Sequence, residues 1–191
     1  EYIWGDALKL WKQNAPDLKL INLETSITTS DQAWPGKGIH YRMHPENVKI
    51  LTTAGIDQLS LANNHILDWG REGLEETMKI LQAAGISFSG VGNNEKEATK
   101  ASVLETEKGR VLVFSYGMPN SGVFDSWAAG TELSGLNYLP GMSEKEISRI
   151  KEDISRQKQA GDLIVLSVHW GGNWGYDISE RQQEFAHQLI D

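Results

Sequence analysis

Ile56-Asp57-Gln58-Leu59-Ser60-Leu61-Ala62-Asn63-Asn64-His65-Ile66-Leu67-Asp68 is the stretch on which the fold turns. Its first seven residues predict a short buried strand. The polar run Asn63-Asn64-His65 follows without a spacer and is too hydrophilic for a core, so it points into a crevice at the strand's end. On the N-terminal side, Val48, Ile50, Leu51 and Ala54 recur at helical spacing, and Gly55 stands where a left-handed residue stops a helix. On the C-terminal side, residues 70–84 predict an amphipathic helix with Leu74, Met78, Leu81 and Gln82 near one face, closed by Gly85. Short apolar strands over 18–23 and 86–88 complete a strand–helix alternation.

Further out the period changes. Residues 101–104 and 111–114 flank the turn-like Glu107-Lys108-Gly109-Arg110 and predict an antiparallel hairpin. Residues 116–141 hold Gly, Pro, Asn and Ser without period, a long loop of the kind usually kept for function. Ser143 with Glu146 three residues on forms a capping box opening a helix to about Ala160. Leu163-Ile164-Val165-Leu166-Ser167-Val168 reads as a strand buried on both faces, and it ends at His169-Trp170-Gly171-Gly172. Strand and helix alternating around one hairpin predict an α/β layered fold with mixed β-sheets flanked by helices. Ligands of such sheets bind outside the carboxyl ends of the strands. Three polar groups fall there: Asn22 and Glu24, then Asn63-Asn64-His65, then His169.

Composition narrows the function classes. The chain has 191 residues, 39% of them hydrophobic, which suits one globular domain. Its longest apolar stretches are only a few residues, too short to span a bilayer as a helix. Eighteen Lys and Arg against 26 Asp and Glu give a net charge of −8, so the footprint of a nucleic-acid binder is missing. With no cysteine, disulfides and thiolate metal sites are excluded. The chain starts at Glu1 rather than Met, and its last helical pattern stops at Asp191 without Gly or Pro. That reads as a piece of a longer protein.

Each polar group has two readings. Asn64 offers an amide oxygen to a divalent metal and His65 a ring nitrogen for proton transfer, with Asp68 orienting the imidazole. Otherwise the segment is a turn in which Asp68 caps the next helix. His169 at a strand tip beside glycines suits a metal ligand, or it is a loop histidine bonded to a carbonyl. Glu24 is a carboxylate ligand or a solvated side chain. Arg42, in His40-Tyr41-Arg42-Met43-His44-Pro45, clamps a carboxylate or phosphate, or lies on the surface. Gly90-Val91-Gly92-Asn93 lacks the third glycine of a phosphate cradle. Trp127, Trp170 and Trp174 line a groove for an extended substrate, or pack in the core.

Taken together, these segments resemble the CapA family of capsule and poly-γ-glutamate biosynthesis proteins, a branch of the calcineurin-like metallophosphoesterases. The resemblance runs through Trp4-Gly5-Asp6, Asn22-Leu23-Glu24-Thr25, Tyr41-Arg42-Met43-His44-Pro45, Ala54-Gly55-Ile56-Asp57, Ser60-Leu61-Ala62-Asn63-Asn64-His65, Asp68-Trp69-Gly70, Ala84-Gly85-Ile86 and His169-Trp170-Gly171. It implies a single CapA-type domain over residues 1–191 and a site for divalent metal ions, two in the full-length protein. Glu24, Asn64 and His169 would be the ligands, and His65 would be the general acid, supported by Asp68. Asn63, Arg42 and Trp170 would contact an anionic polymer or phosphoester. It also implies a cell-envelope setting within a membrane-bound polymer synthesis complex. The superfamily's opening Asp motif would precede Glu1 and its closing Gly-His-x-x-His would follow Asp191, so this piece alone is expected to be inactive. The competing expectation is a non-catalytic polyanion-binding module, with a long Trp- and Arg-lined groove and no converging ligands.

Overall fold

The structure is a computed structural model that describes residues 3–190; the chain ends at Glu1 and Asp191, on which the reading of a longer protein rests, lie outside the described residues. Helix α1 (Ala7–Asn14) leads into strands β1 (Leu20–Asn22), β2 (Ser26–Ile27) and β3 (Arg42–Met43). Helix α2 (Lys49–Ala54), strand β4 (Gln58–Ser60), helix α3 (Gly70–Ala83), strands β5 (Ser87–Ser89) and β6 (Val91–Gly92), and helix α4 (Glu95–Ala98) follow. The rest comprises β7 (Ser102–Thr106), β8 (Gly109–Gly117), β9 (Gly135–Leu136), α5 (Glu144–Ser155), β10 (Leu163–His169) and α6 (Glu180–Ile190).

Two three-stranded sheets organise these elements. The first, β1-β4-β5, is parallel, with Asn22 opposite Ser60 and Ser60 opposite Ser89. The second, β10-β8-β7, is mixed: β10 runs parallel to β8, with His169 opposite Gly117, and β7 runs antiparallel to it. Side-chain alternation then sets the layers. On β8, Leu112, Phe114 and Tyr116 join Ile147 and Ile150 of α5 and Phe185 of α6 in one core cluster. Val111 and Val113 point the other way, to Leu104, Leu20 and Val165 between the sheets. The first sheet packs its outer face on Leu51 of α2 and on Leu74, Met78 and Leu81 of α3. The result is helix, sheet, sheet, helix: the expected α/β layered architecture.

Several local expectations change. The 163–168 strand is not buried on both faces: among the described residues β10 pairs only with β8, and Leu163 is 62% exposed. A β-branched run marks β propensity, and burial depends on neighbours the run does not contain. The 116–141 segment is no featureless loop. It begins as the end of β8, holds two short 3-10 turns, and carries β9, which pairs with β6. Helix α5 stops at Ser155, because Asp162 accepts from the Gln159 N–H (2.8 Å) and Gly161 takes a φ of +90° to turn the chain into β10. At its start, the Ser143 hydroxyl bonds the Glu146 carboxylate and makes no side-chain cap to the helix backbone. The apolar stripe of α3 continues through Thr77 and Gly73, and Gln82 is exposed. Trp127 is fully buried and Trp174 is 94% exposed, so the tryptophans line no common groove. Gly90 and Gly92 serve close packing: a Cβ on Gly90 would lie 2.6 Å from the Ser115 Cβ, and one on Gly92 2.4 Å from the Glu97 Cβ.

Candidate functional site

The carboxyl ends of β1, β4 and β10 bring the candidate groups together across both sheets. Parallel pairing of β1 with β4 puts Glu24 and the 63–65 turn at one edge. The tip of β10 is fixed from the second sheet: the His169 carbonyl accepts the Met118 N–H and the Ser121 hydroxyl, both at 3.0 Å. There His169 Nε2 lies 3.1 Å from Asn64 Oδ1 and 3.9 Å from Glu24 Oε1. Asn22 holds the other carboxylate oxygen of Glu24 at 3.2 Å. Gly122, at φ +88°, leaves room for the Asn64 amide, since a Cβ there would lie 3.3 Å from Asn64 Nδ2.

Behind these groups is a buried dyad. His65 Nδ1 lies 2.7 Å from Asp68 Oδ2. A carboxylate only accepts, so Nδ1 carries the proton in the neutral ring and Nε2 is the atom free to take or give one. Asp68 is fully buried and also accepts the Tyr41 N–H at 2.6 Å and the Lys37 ammonium. It does not cap α3, whose N-cap is Trp69 with no side-chain cap bond. Tyr41 stacks on the His65 ring with centroids 3.9 Å apart and planes 17° off parallel. Burial pulls the His169 ring below the usual imidazole range; the Glu24 charge pulls it up and the nearby His65 pulls it down again. Burial also lowers the Lys37 ammonium, opposed by its hydrogen bond and charge contact with Asp68 and by the charge of Glu24.

Three other candidates are engaged elsewhere, two through their polar groups and one through its ring. Asn63 is buried with both donors engaged: its amide donates to Asn22 Oδ1 (3.0 Å) and the Leu23 carbonyl (2.9 Å), and its oxygen accepts the His65 N–H (3.0 Å). The Arg42 guanidinium bonds the Ser30 carbonyl (2.8 Å) and Asp31 (2.9 Å) and lies over the Trp69 ring. Trp170 packs beside Phe185, ring centroids 5.9 Å apart, in the helix-side core. Lys37 and Tyr41 went unsuspected. Both reach the dyad from an irregular loop, and only the flanking glycines of Pro35-Gly36-Lys37-Gly38 set Lys37 apart in the sequence.

Among the described residues no group of three or more His, Asp or Glu side chains is placed to hold a metal ion. Glu24, His169 and the Asn64 amide oxygen make a mixed set instead. Ligand atoms about 2.0–2.2 Å from one ion are roughly 3–3.5 Å from each other. The 3.1 Å between His169 Nε2 and Asn64 Oδ1 falls in that range, and the 3.9 Å from Nε2 to Glu24 Oε1 lies outside it, so the carboxylate would have to move inward to share an ion with them.

Comparison with known proteins gives the family. The family model described as bacterial capsule synthesis protein PGA_cap matches residues 1–191. The chain is 38% identical over 193 residues to a probable polyglutamine synthesis accessory protein of Mycobacterium tuberculosis (strain ATCC 25618 / H37Rv), an alignment covering 98% of this chain and 50% of that protein. It is 32% identical over 155 residues to the capsule biosynthesis protein CapA of Bacillus anthracis, covering 81% and 36%. With the PGA biosynthesis protein CapA of Bacillus subtilis (strain 168) it shares 25% over 178 residues, covering 93% and 45%. It thus spans half or less of the length of these relatives. The chain belongs to the bacterial capsule synthesis protein PGA_cap family.

Proposed function

We propose that this chain carries the cation-dependent, phosphoesterase-like site of a capsule or poly-γ-glutamate biosynthesis protein. Its substrate is an anionic polymer or phosphoester handled by a cell-envelope synthesis complex. The observation that supports this most is the meeting of Glu24, Asn64 and His169, contributed by two different sheets, next to a buried His65–Asp68 dyad. These three residues would hold a divalent ion. Such an ion polarises a phosphoryl or acyl oxygen and makes water a nucleophile near neutral pH. The chain's own contribution is a positioned proton donor: Asp68 holds His65 through Nδ1–H, and when the ring is the imidazolium Nε2 would deliver its proton to a leaving group, leaving the neutral Nδ1–H ring. The polyanion-binding module draws no comparable support, because Arg42 is paired with Asp31 and Trp127 is buried.

Calorimetric titration of the full-length protein with Mn2+ tests the reading. Wild type should bind, and Glu24→Gln and His169→Ala should each weaken binding by tenfold or more while keeping the fold. His65→Ala should keep the ion and lose turnover on phosphoesters with poor leaving groups. Unchanged Mn2+ affinity in both ligand variants overturns the site.

A further inference from the structure

The geometry points to Lys37 as the positioning residue of this site, tying the Asn64 peptide to Asp68 so that one cation sets the orientation of both Asn64 and His65. The Lys37 ammonium donates to the Asn64 carbonyl and to Asp68 Oδ1, and it lies 3.2 Å from His65 Nδ1. Its side chain is only 12% exposed, and the ammonium sits 5.1 Å from the centre of the Trp127 ring. Two acceptors of the 64–68 turn, one on the backbone and one on a side chain, are therefore reached by one group about thirty residues away in the chain. An ammonium suits this place because both groups it bonds accept and it only donates, while the His65 Nδ1–H is directed at the other Asp68 oxygen.

The loop that delivers Lys37 is itself fastened to the same turn. The Trp34 N–H donates to the Asp68 carbonyl at 2.8 Å, and the Trp69 indole donates to the Tyr41 carbonyl at 2.9 Å. The Tyr41 N–H reaches Asp68 Oδ2 while its ring covers one face of His65. Residues 34–41 thus strap the dyad from outside, and Lys37 is the charged contact at the strap's centre. Without it, Asp68 would be a fully buried carboxylate facing the His65 ring and the Tyr41 amide. With Lys37 present, Oδ1 is held by the ammonium, and Oδ2 is left to fix His65.

The assignment makes two claims that charge neutralisation alone does not. The His65 ring should be locked as a single Nδ1–H tautomer only while Lys37 is present, and the Asn64 amide should be kept facing His169 from a distance. The second claim rests on the cation reading above; the first does not. NMR of 15N-histidine-labelled full-length protein, with His65→Gln identifying the His65 signals, reads the first in metal-free protein. Mn2+ titration reads the second.

Wild type should show one Nδ1–H tautomer with a protected ring proton. Lys37→Met, which keeps the length of the side chain, should mix the tautomers, lose that proton to exchange and weaken Mn2+ binding about tenfold. Lys37→Arg, which keeps a charged donor, should recover most of the ring signature. A Lys37→Met protein with the wild-type His65 spectrum overturns the assignment, whatever its Mn2+ affinity. If wild type binds no Mn2+, the cation reading falls and the ring spectrum alone decides Lys37. Should Lys37→Met fail to fold, nuclear Overhauser contacts from the Lys37 ε-protons to the His65 ring in wild type decide instead: contacts support the role, and a fast-exchanging ammonium without them overturns it.

Discussion

Two neighbouring asparagines divide the labour at the strand end, and the difference is legible in their partners. Both donors and one acceptor position of the Asn63 amide are spent on Asn22, Leu23 and His65, inside the protein. Among the described residues the Asn64 side chain hydrogen-bonds only His169. Removing buried partners leaves groups unsatisfied at about 1–3 kcal/mol, so Asn63→Ala should lose about 2 kcal/mol in urea unfolding. Asn64→Ala should unfold nearly as wild type and instead lose Mn2+ binding. Asp68 makes the same point with charge. As a helix cap it would be replaceable by Asn at almost no loss, since the two cap equally well. It faces Lys37 in a buried pair, and removing one partner of such a pair costs about 3–5 kcal/mol. Asp68→Asn should therefore lose about 3 kcal/mol in the same measurement; a loss below about 0.5 kcal/mol would return Asp68 to a turn role. The Asn63-Asn64-His65-Asp68 spacing announced a special turn. It could not say which asparagine faces inward, because that depends on where β1 lies and not on the turn itself.

At the scale of one element, α5 carries two shielded acids that respond to pH in opposite directions. The Ser143 hydroxyl holds the Glu146 carboxyl below the usual carboxylate value of 4.5. A group depressed in the folded state adds stability above its unfolded value, and that stability disappears as pH falls through its folded value. Burial pushes Asp153 above 3.8, with Arg149 and Arg156 pulling against it and the Tyr116 hydroxyl donating at 3.3 Å. A raised acid adds stability that is complete below its unfolded value and is lost as pH rises through its folded value. Melting temperatures from pH 3 to 7 should therefore split. Glu146→Gln should melt below wild type at pH 7 and converge with it below about pH 4.5. Asp153→Asn should melt above wild type at pH 7 and converge below about pH 3.8. Parallel curves for either variant would show that its carboxyl does not titrate differently on folding. Sequence signals for elements were strongest where they are local. Gly55 and Gly85 stop their helices at φ +61° and +69°, as the pattern required. They failed for the two-residue strands β6 and β9, whose pairing spans more than forty residues and leaves no period to read.

The whole molecule makes the site by pressing two sheets together, and beside the apolar contacts of Val111 and Val113 the seam between them has a tight polar stretch. Gln58 donates to the Ser89 hydroxyl at 2.8 Å, and Ser89 and Ser115 share a hydrogen bond of 2.7 Å across the sheets. Beside them Gly90, at φ +88°, leaves no room for a methyl: its Cβ would stand 2.6 Å from the Ser115 Cβ and 2.7 Å from the Ala62 Cβ. Ala62 lies two residues past the end of β4 and precedes Asn63, while Ser115 lies on β8, which bonds the strand ending at His169. A wedge at Gly90 should therefore spread Asn64 from His169 without touching either. This dependence on seam width was invisible beforehand, since Gly90-Val91-Gly92-Asn93 looked at most like a weak phosphate loop. Gly109 provides the control: its φ of +128° also penalises alanine, but its Cβ would find no atom nearer than 4.0 Å. Gly109→Ala should lose about 1–2 kcal/mol for the left-handed backbone and keep wild-type Mn2+ affinity. Gly90→Ala adds overpacking of about 1–3 kcal/mol, so it should unfold at clearly lower urea and bind Mn2+ at least tenfold more weakly while still folded. Equal Mn2+ affinities in the two variants would mean that each sheet holds its ligands unaided and that the spacing between sheets does not set the site.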